Sequence, residues 1–410
     1  MDPPRQSKKD ASKVTAVEPI IWEWVNFMAR WLHVVAAMAW IGSSFYFIHL
    51  DASLKRPNGL APGAGGEAWQ IHGGGFYHMV KYLVAPNRLP QELTWFKWES
   101  YTTWLSGFFL LVVLYYRGAD LFLIDPAVQV LSPLQAVGFS LAALAAGWIG
   151  YDLLCRSPLG RHTGALAAIG FVFLVAGAWG LSHLFSGRGA LLQTGALMGT
   201  IMTANVFLVI MPNQRKTIAA MLAGQTPDPA LGKQAKQRSL HNNYLTLPVV
   251  FLMLSNHYPT AFGTRDSWAI VALVLVAGGS IRHFFNRQHA DLPRPWWCWG
   301  VAAACMVAAM GLSLRAPAPV QAAAVTEAAA DDVVTSRCSM CHAAEPVWDG
   351  IATAPRGLRL DTPEEIRRHA AQIRLAAVLS HAMPPGNVTE ITEEERALLA
   401  RWTEEEAEGG

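Results

Sequence analysis

Eight runs of apolar residues determine what this chain can fold into, because each is long enough to cross most or all of the roughly 30 Å of hydrocarbon in a bilayer. They lie near residues 27–48, 101–116, 134–154, 164–185, 191–212, 243–258, 267–285 and 296–314. Hydrophobic residues make up 52% of the chain and charged residues 15%, a more apolar balance than soluble proteins show. The pattern predicts an all-α fold: a polytopic bundle of eight transmembrane helices within residues 20–314, embedded in a lipid bilayer and preceded by a polar tail over residues 1–19.

A second feature lies beyond these runs, where residues 338–342 read Cys-Ser-Met-Cys-His. Two thiols at this spacing can each bond to a vinyl group of a haem, and the adjacent histidine can ligate the iron. Cys338 and Cys341 are therefore predicted to hold one covalent haem c, with His342 as an iron ligand. The alternatives are a zinc half-site or a redox dithiol.

Forty-one residues after His342, Met383 lies in a proline-rich segment that suits the sixth ligand of a small cytochrome c. Ligation by histidine and methionine raises the haem potential and makes the haem a good electron acceptor. His369 and His381 are alternative ligands. A Pro/Ala-rich linker over residues 315–330 should join the membrane domain to an all-α, class I-like cytochrome c domain over residues 331–410.

The orientation in the membrane follows from the haem motif, since bacteria attach haem c on the periplasmic face. With eight spans, the N-terminus and the cytochrome domain should both be periplasmic, in the inner membrane of a bacterium. Lysine and arginine accumulate in cytoplasmic loops. The loops that this arrangement places outside carry Arg117, Arg188 and Arg265, whereas most of the other basic residues between the spans fall inside. No basic stripe interleaved with aromatic residues occurs, so nucleic-acid binding is not expected.

Histidines occur at both ends of the predicted spans, where ionisable side chains are costly unless they are paired or bound. Two tiers of imidazoles on different helices would suit one or two haem b groups in the membrane domain. The candidate ligands are His33, His183 and His257 towards the periplasmic side and His49 and His283 towards the cytoplasmic side. The alternative is that these imidazoles lie at the membrane interface or form hydrogen bonds within the bundle.

Several polar and aromatic stretches, taken together with the domain order, carry a family resemblance: residues 72–78, 95–107, 239–248 and 255–259. With these stretches and a C-terminal cytochrome c, the chain resembles the bacterial membrane-bound urate oxidases, or urate hydroxylases, from about residue 20 to 405. The resemblance implies oxidation of urate to 5-hydroxyisourate in purine catabolism. It also implies that electrons leave through the cytochrome, towards a soluble cytochrome c or a terminal oxidase, without formation of peroxide.

Three clusters on the predicted cytoplasmic side contain the residue types that a planar anion such as urate needs, namely cations, amides and aromatic faces. A histidine or a carboxylate can act as the proton acceptor, which makes Glu99 and His241 the catalytic candidates. The substrate-binding candidates are Lys97, Trp98, His72, His78, Asn242, Asn243 and Tyr244. Each also has a structural explanation, since aromatic and basic residues are common at helix ends.

Two other functions are compatible with the residues alone. The first is a membrane cytochrome subunit that relays electrons from a quinol or from a partner dehydrogenase. The second is a transporter for haem or metal, which explains the histidines in the membrane but gives the attached cytochrome no role.

Overall fold

The structure is a computed structural model that describes residues 6–86, 88–264, 266–314, 326–348 and 351–409, with backbone alone for residues 6–19 and 407–409. Residues 315–325, most of the predicted linker, lie outside the described residues. Two compact units divide the chain. The first contains Met1–Arg117, Met198–Thr246 and Ile281–Cys298, and the second contains Gly118–Leu197, Leu247–Ser280 and Trp299–Gly410.

Helices dominate both units. In chain order they are α1 (Gln6–Ser53), α2 (Trp98–Leu110), α3 (Ala119–Phe122), α4 (Pro133–Arg156), α5 (Thr163–Ser182), α6 (Gly187–Ala204), α7 (Met211–Leu222), α8 (Pro229–Ser255), α9 (Pro259–Phe262), α10 (Ser267–His289), α11 (Trp297–Ser313), α12 (Glu327–Arg337), α13 (Pro363–Arg368), α14 (Ala370–Ile373) and α15 (Glu393–Gly409). Three π-helical turns, Leu111–Tyr116, Asn205–Ile210 and Arg374–Leu379, continue α2, α6 and α14 respectively.

Each of the eight apolar runs lies largely or wholly in helical segments, and five helical segments are long and apolar enough to cross a membrane. These are Ile20–Ser53, Pro133–Arg156, Thr163–Ser182, Gly187–Leu222 and Ser267–His289. The remaining three runs fall in α2, which has 13 residues before its π turn, in α8, whose first half is polar, and in α11, which has 17 residues. The count of eight spans therefore stays a prediction.

The prediction of an all-α fold is wrong between α1 and α2, where an antiparallel hairpin forms from β1 (Ala64–His72) and β2 (Gly75–Tyr82). Gly73 and Gly74 connect the strands with φ angles of 57° and 81°. Positive φ at both central residues is the requirement of a two-residue hairpin turn, and glycine meets it without steric cost. Gly73 and Gly74 thus form the turn, and His72 and His78 lie on the strands.

Close packing of α1 on α2 in the first unit depends on a glycine. The ring of His33 lies against Gly107, where an added Cβ would be 2.8 Å from the His33 Cε1 atom. His33 Nδ1 also lies 2.9 Å from the Thr103 carbonyl oxygen and 3.2 Å from the Ser106 hydroxyl. The imidazole therefore forms hydrogen bonds to α2. This arrangement is the alternative to haem ligation for His33.

The C-terminal segment of the second unit has its own apolar core, in which Val334, Leu360, Ile366, Leu399 and Trp402 are buried together. Its first helix, α12, begins at Glu327, inside the segment predicted as linker. Thr362 caps the start of α13, since its hydroxyl accepts a hydrogen bond from the Glu365 amide at 3.3 Å. Arg337 joins α12 to α15 by donating to both carboxylate oxygens of Glu395, at 2.9 to 3.2 Å.

One turn of this segment, Pro385–Asn387, packs against the stretch that follows α2 in the chain. Gly386 has a φ of 56°, and a Cβ on it would lie 2.6 Å from the Ile124 carbonyl oxygen and 2.7 Å from that of Asp120. No side chain can occupy this space unless the backbone moves. The short loop that carries Met383 is thus placed close to residues 120–124 by a glycine.

We expect Gly386→Ala to destabilise this contact by about 1–3 kcal/mol, the usual cost of overpacking. Hydrogen exchange of residues 380–388 in the full chain should become faster. Gly357→Ala is the matched control, because Gly357 also has positive φ, 68°, but open space where the Cβ would be. Equal changes in the two variants would show that backbone strain, and not the contact with residues 120–124, causes the effect.

Candidate functional site

The predicted residues Asn242, Asn243 and Tyr244 lie on α8, and each contacts a different polar partner in the first unit. Asn242 is buried and fully engaged: its Oδ1 accepts from Asn205 Nδ2 at 2.8 Å, and its Nδ2 donates to the Met202 carbonyl at 2.9 Å. Asn205 accepts in turn from Arg238 Nη1 at 3.2 Å. This chain of hydrogen bonds satisfies its buried amides and holds α8 against the π turn after α6.

Asn243 is completely buried and meets α10 instead. Its Oδ1 accepts hydrogen bonds from Arg282 Nε at 3.4 Å and from Asn286 Nδ2 at 3.0 Å. Arg282 is 5% exposed, its guanidinium carbon lies 3.9 Å from the ring centroid of Phe45, and its Nη2 donates to Asn286 Oδ1 at 3.3 Å. Helices α1, α8 and α10 therefore meet around one arginine.

Tyr244 points to a third partner, with its hydroxyl 3.2 Å from His283 Nδ1. One turn earlier on the same helix, His241 is half-buried. Burial disfavours the imidazolium and the nearby Arg238 repels it, so the pKa of His241 falls to about 4. The His241 ring is therefore neutral at physiological pH and can accept a proton.

Residues 97–99 lie at the start of α2. The Lys97 ammonium lies 5.8 Å from the ring centroid of Trp95 and 5.5 Å from that of Trp98. Trp98 is largely exposed, and Glu99 occupies the first turn of the helix, where a carboxylate is stabilised by the helix dipole. No hydrogen bond connects these three side chains to His241, Asn242, Asn243 or Tyr244 within the described residues.

The hairpin histidines form no described hydrogen bond to the α8 cluster, which consists of His241, Asn242, Asn243, Tyr244 and their partners. His78 stacks on Trp69 with ring centroids 4.2 Å apart, and its Nε2 lies 2.9 Å from Glu67 Oε2. His72 is the last residue of β1 and is exposed. Both histidines stay candidates for substrate binding with no described contact that supports the assignment.

The candidates for haem b ligation are distributed over both units. His49 contacts His289, which the sequence reasoning did not select, with ring centroids 4.5 Å apart. His183 is exposed at the end of α5, with Nδ1 2.8 Å from the Trp179 carbonyl, and His257 is exposed just after α8. With His33 held by α2 and His283 next to Tyr244, the haem b assignment stays a prediction.

The haem c motif lies at the end of α12. The amides of Cys341 and His342 both donate to the Cys338 carbonyl, at 3.1 and 2.9 Å, so the pentapeptide forms a compact turn. His342 Nδ1 donates to the Leu358 carbonyl at 2.9 Å. This hydrogen bond leaves Nε2 as the nitrogen available for a metal, which is the usual orientation of a ligating histidine.

Met383, His369 and Trp402 lie in the same C-terminal segment as this motif. The Met383 amide donates to the Ala376 carbonyl at 2.9 Å, and its carbonyl accepts from Arg396 Nη1 at 3.0 Å. His369 Nδ1 and Trp402 Nε1 are buried without a hydrogen-bond partner in the described residues. Unpartnered buried polar atoms are uncommon, and a haem with polar edges is a group that would explain them. No set of three or more His, Cys, Asp or Glu side chains suited to a bare metal ion occurs in the described part of the chain.

Sequence reasoning missed Phe45, Asn205, Arg238, Arg282 and Asn286 as members of the α8 cluster. Arg282 and Arg238 are among the basic residues that the positive-inside rule places on the cytoplasmic side. One signal was present: Arg282 falls inside the apolar run 267–285, where a charged side chain is costly and therefore a functional candidate.

The fold places the chain among mostly helical proteins whose helices are long and apolar enough to cross a membrane. Within that class, the chain belongs to the urate oxidase N-terminal family, which matches residues 19–313. Membership indicates a urate-related oxidoreductase. The α8 cluster lies inside the matched range, and the Cys338 to His342 motif lies beyond it. No curated protein and no solved structure matches the sequence.

Proposed function

We propose that the protein is a membrane-bound urate oxidase that converts urate to 5-hydroxyisourate and passes the electrons to its own haem c. The observation that carries the proposal is the family match over residues 19–313, because it covers the whole predicted membrane domain. The segment from α12 to α15 adds the Cys338 to His342 motif and a loop with Met383. A substrate domain and an electron-accepting domain are thereby joined in one chain.

The reaction balances with water as the source of oxygen. Urate loses two electrons and two protons overall, water adds to the oxidised purine, and 5-hydroxyisourate carries the new hydroxyl group. His241 is the residue we assign to accept the proton of the attacking water, because its imidazole is neutral above a pH of about 4. Glu99 is the second candidate for this role.

Cys338 and Cys341 would hold the haem, and His342 and Met383 would ligate its iron. When bound, a haem of this type accepts one electron at a time. A soluble cytochrome c or a terminal oxidase would be the next acceptor. One or two haem b groups in the membrane domain would complete the path.

The proposed arrangement has eight spans, with the urate site near the cytoplasmic face and the cytochrome segment in the periplasm. Five helices of spanning length support a membrane location. The distribution of lysine and arginine between the predicted loops supports the orientation. Urate would be oxidised where purine breakdown produces it, and the electrons would leave on the opposite side.

Anaerobic addition of urate to the purified full-length protein tests the proposal. We expect the reduced α-band of haem c to appear without any added mediator. If urate leaves the haem oxidised while dithionite or a quinol reduces it, the protein is an electron relay and the urate assignment is wrong. Pyridine haemochrome spectra of the same sample count the haems, and a spectrum of haem c alone would overturn the haem b part of the path.

A further inference from the structure

A buried arginine without an acidic partner is the starting observation. Arg282 is 5% exposed and lies in a helix of membrane-spanning length. The groups that it contacts are neutral: Asn243, Asn286 and the ring of Phe45. No Asp or Glu forms an ion pair with Arg282 among the residues that the structure describes. A buried charge is costly unless a counter-charge or a bound ligand compensates it.

The second observation concerns the amide of Asn243. Its Oδ1 must face Arg282 and Asn286, because both of these groups are donors at 3.4 and 3.0 Å. The orientation of the amide is thereby determined by its neighbours. Its Nδ2 then points away from them, and this atom is buried without a hydrogen-bond partner in the described residues. A completely buried donor needs an acceptor, and the described residues do not supply one.

The two observations describe one ligand. Arg282 uses Nε and Nη2 for the two asparagines, which leaves Nη1 for another acceptor. Together with Asn243 Nδ2 it offers donors to a group that is negatively charged and rich in acceptors. Phe45 supplies an aromatic face at the guanidinium, and planar guanidinium groups recognise planar anions specifically.

We infer that Arg282 and Asn243 form the anion-binding part of a ligand site between α1, α8 and α10, and that its ligand is the urate monoanion. The choice of urate rests on the proposed function, whereas the anionic and planar character of the ligand rests on the residues. Tyr244 follows Asn243 in the chain and His283 follows Arg282, so both lie next to the site. His241, the assigned proton acceptor, lies two residues from Asn243 on the same helix.

Asn243→Asp is the decisive variant because it is isosteric. A carboxylate at this position still accepts from Arg282 and Asn286, so the packing of α8 on α10 is retained. It replaces the unpartnered donor by an acceptor and neutralises the arginine, both of which oppose anion binding. Arg282→Lys is the second variant, since it keeps the charge and removes the planar fork. Arg294→Gln is the control, because it removes an exposed cation from the same unit.

Two measurements on the full-length protein decide the outcome: the KM for urate in anaerobic haem c reduction, and the rise in Tm on adding urate, which reports binding without turnover. We expect Asn243→Asp and Arg282→Lys to raise KM by about 10- to 100-fold, the range for charge-assisted hydrogen bonds, and to lose the rise in Tm. Arg294→Gln should behave as wild type.

The two proposals fail in different ways. If wild type reduces its haem with urate and both variants keep the wild-type KM and Tm response, Arg282 and Asn243 do not bind urate and the site inference is wrong. If urate raises the Tm of wild type but not of Asn243→Asp, and still does not reduce the haem, the site stands and the oxidase function is wrong.

Discussion

Replacing Cys338 and Cys341 together by alanine should yield a protein that contains no covalent haem and no longer transfers electrons from urate to an external acceptor. Both proposed thioether bonds would be lost in this variant, and His342 alone would bind haem reversibly. We expect the haem c signal in the pyridine haemochrome to disappear and urate-dependent reduction of an added cytochrome to fall to background. The α8 cluster should still form, because it lies in the other compact unit.

Cys305→Ala is the matched control for this experiment. Cys305 is a free, buried thiol in α11, so its replacement removes a sulfur atom from the chain but not from the haem motif. It should leave haem content and electron transfer unchanged. Urate turnover that persists at the wild-type rate in the double variant would show that electrons leave the membrane domain by a route that bypasses residues 331–410.

The second large effect is expected at His241. Loss of a positioned general base typically lowers a rate by about 10²- to 10⁴-fold, and we expect His241→Gln to lower kcat for urate within that range with little change in KM. Glutamine keeps a similar volume and a polar group, so packing around α8 should be retained. His162→Gln, which alters an exposed histidine, should leave kcat unchanged.

The pH dependence follows from the same residue. Because the pKa of His241 is lowered to about 4, its neutral form should persist as the pH falls through 6.5 and be lost near 4. The acid limb of the wild-type pH profile of kcat should therefore lie near pH 4, and it should be absent in His241→Gln. The unfolded chain binds this proton near pH 6.5, so the contribution of His241 to stability should also decrease between pH 6.5 and 4. An acid limb near pH 6.5 would assign the base to another group.

The positions of the helices were largely predictable because their cause is local. Each long apolar run lies mainly in helical segments, and the start of α13 at Thr362 and Pro363 follows from capping that a few adjacent residues encode. The hairpin was not predicted, although its turn signal, Gly73 followed by Gly74, was visible. Only two residues of its strands, Gly66 and Ala68, are buried, so the hydrophobic pattern that identifies a strand is weak there.

The candidate site was predictable in part. Asn242, Asn243, Tyr244 and His241 could be selected because polar residues cluster at the start of an apolar run. Their partners could not, because Phe45 lies 198 positions before Asn243 and Arg282 lies 39 positions after it. Nothing in their local sequence distinguishes Arg282 from an exposed loop arginine except its place near the end of an apolar run.

The amino-acid sequence by itself determined the helical character of the chain, because that depends on residues that are close in sequence. It also predicts a haem motif at Cys338 to His342 and a membrane domain followed by a cytochrome domain. The tertiary structure decided which polar groups share a site. Arg282 becomes a candidate ligand-binding residue because three helices bury it beside the amide of Asn243, whose Nδ2 has no described partner. Burial and hydrogen-bond satisfaction are properties of packed helices, and no single segment of the sequence contains them.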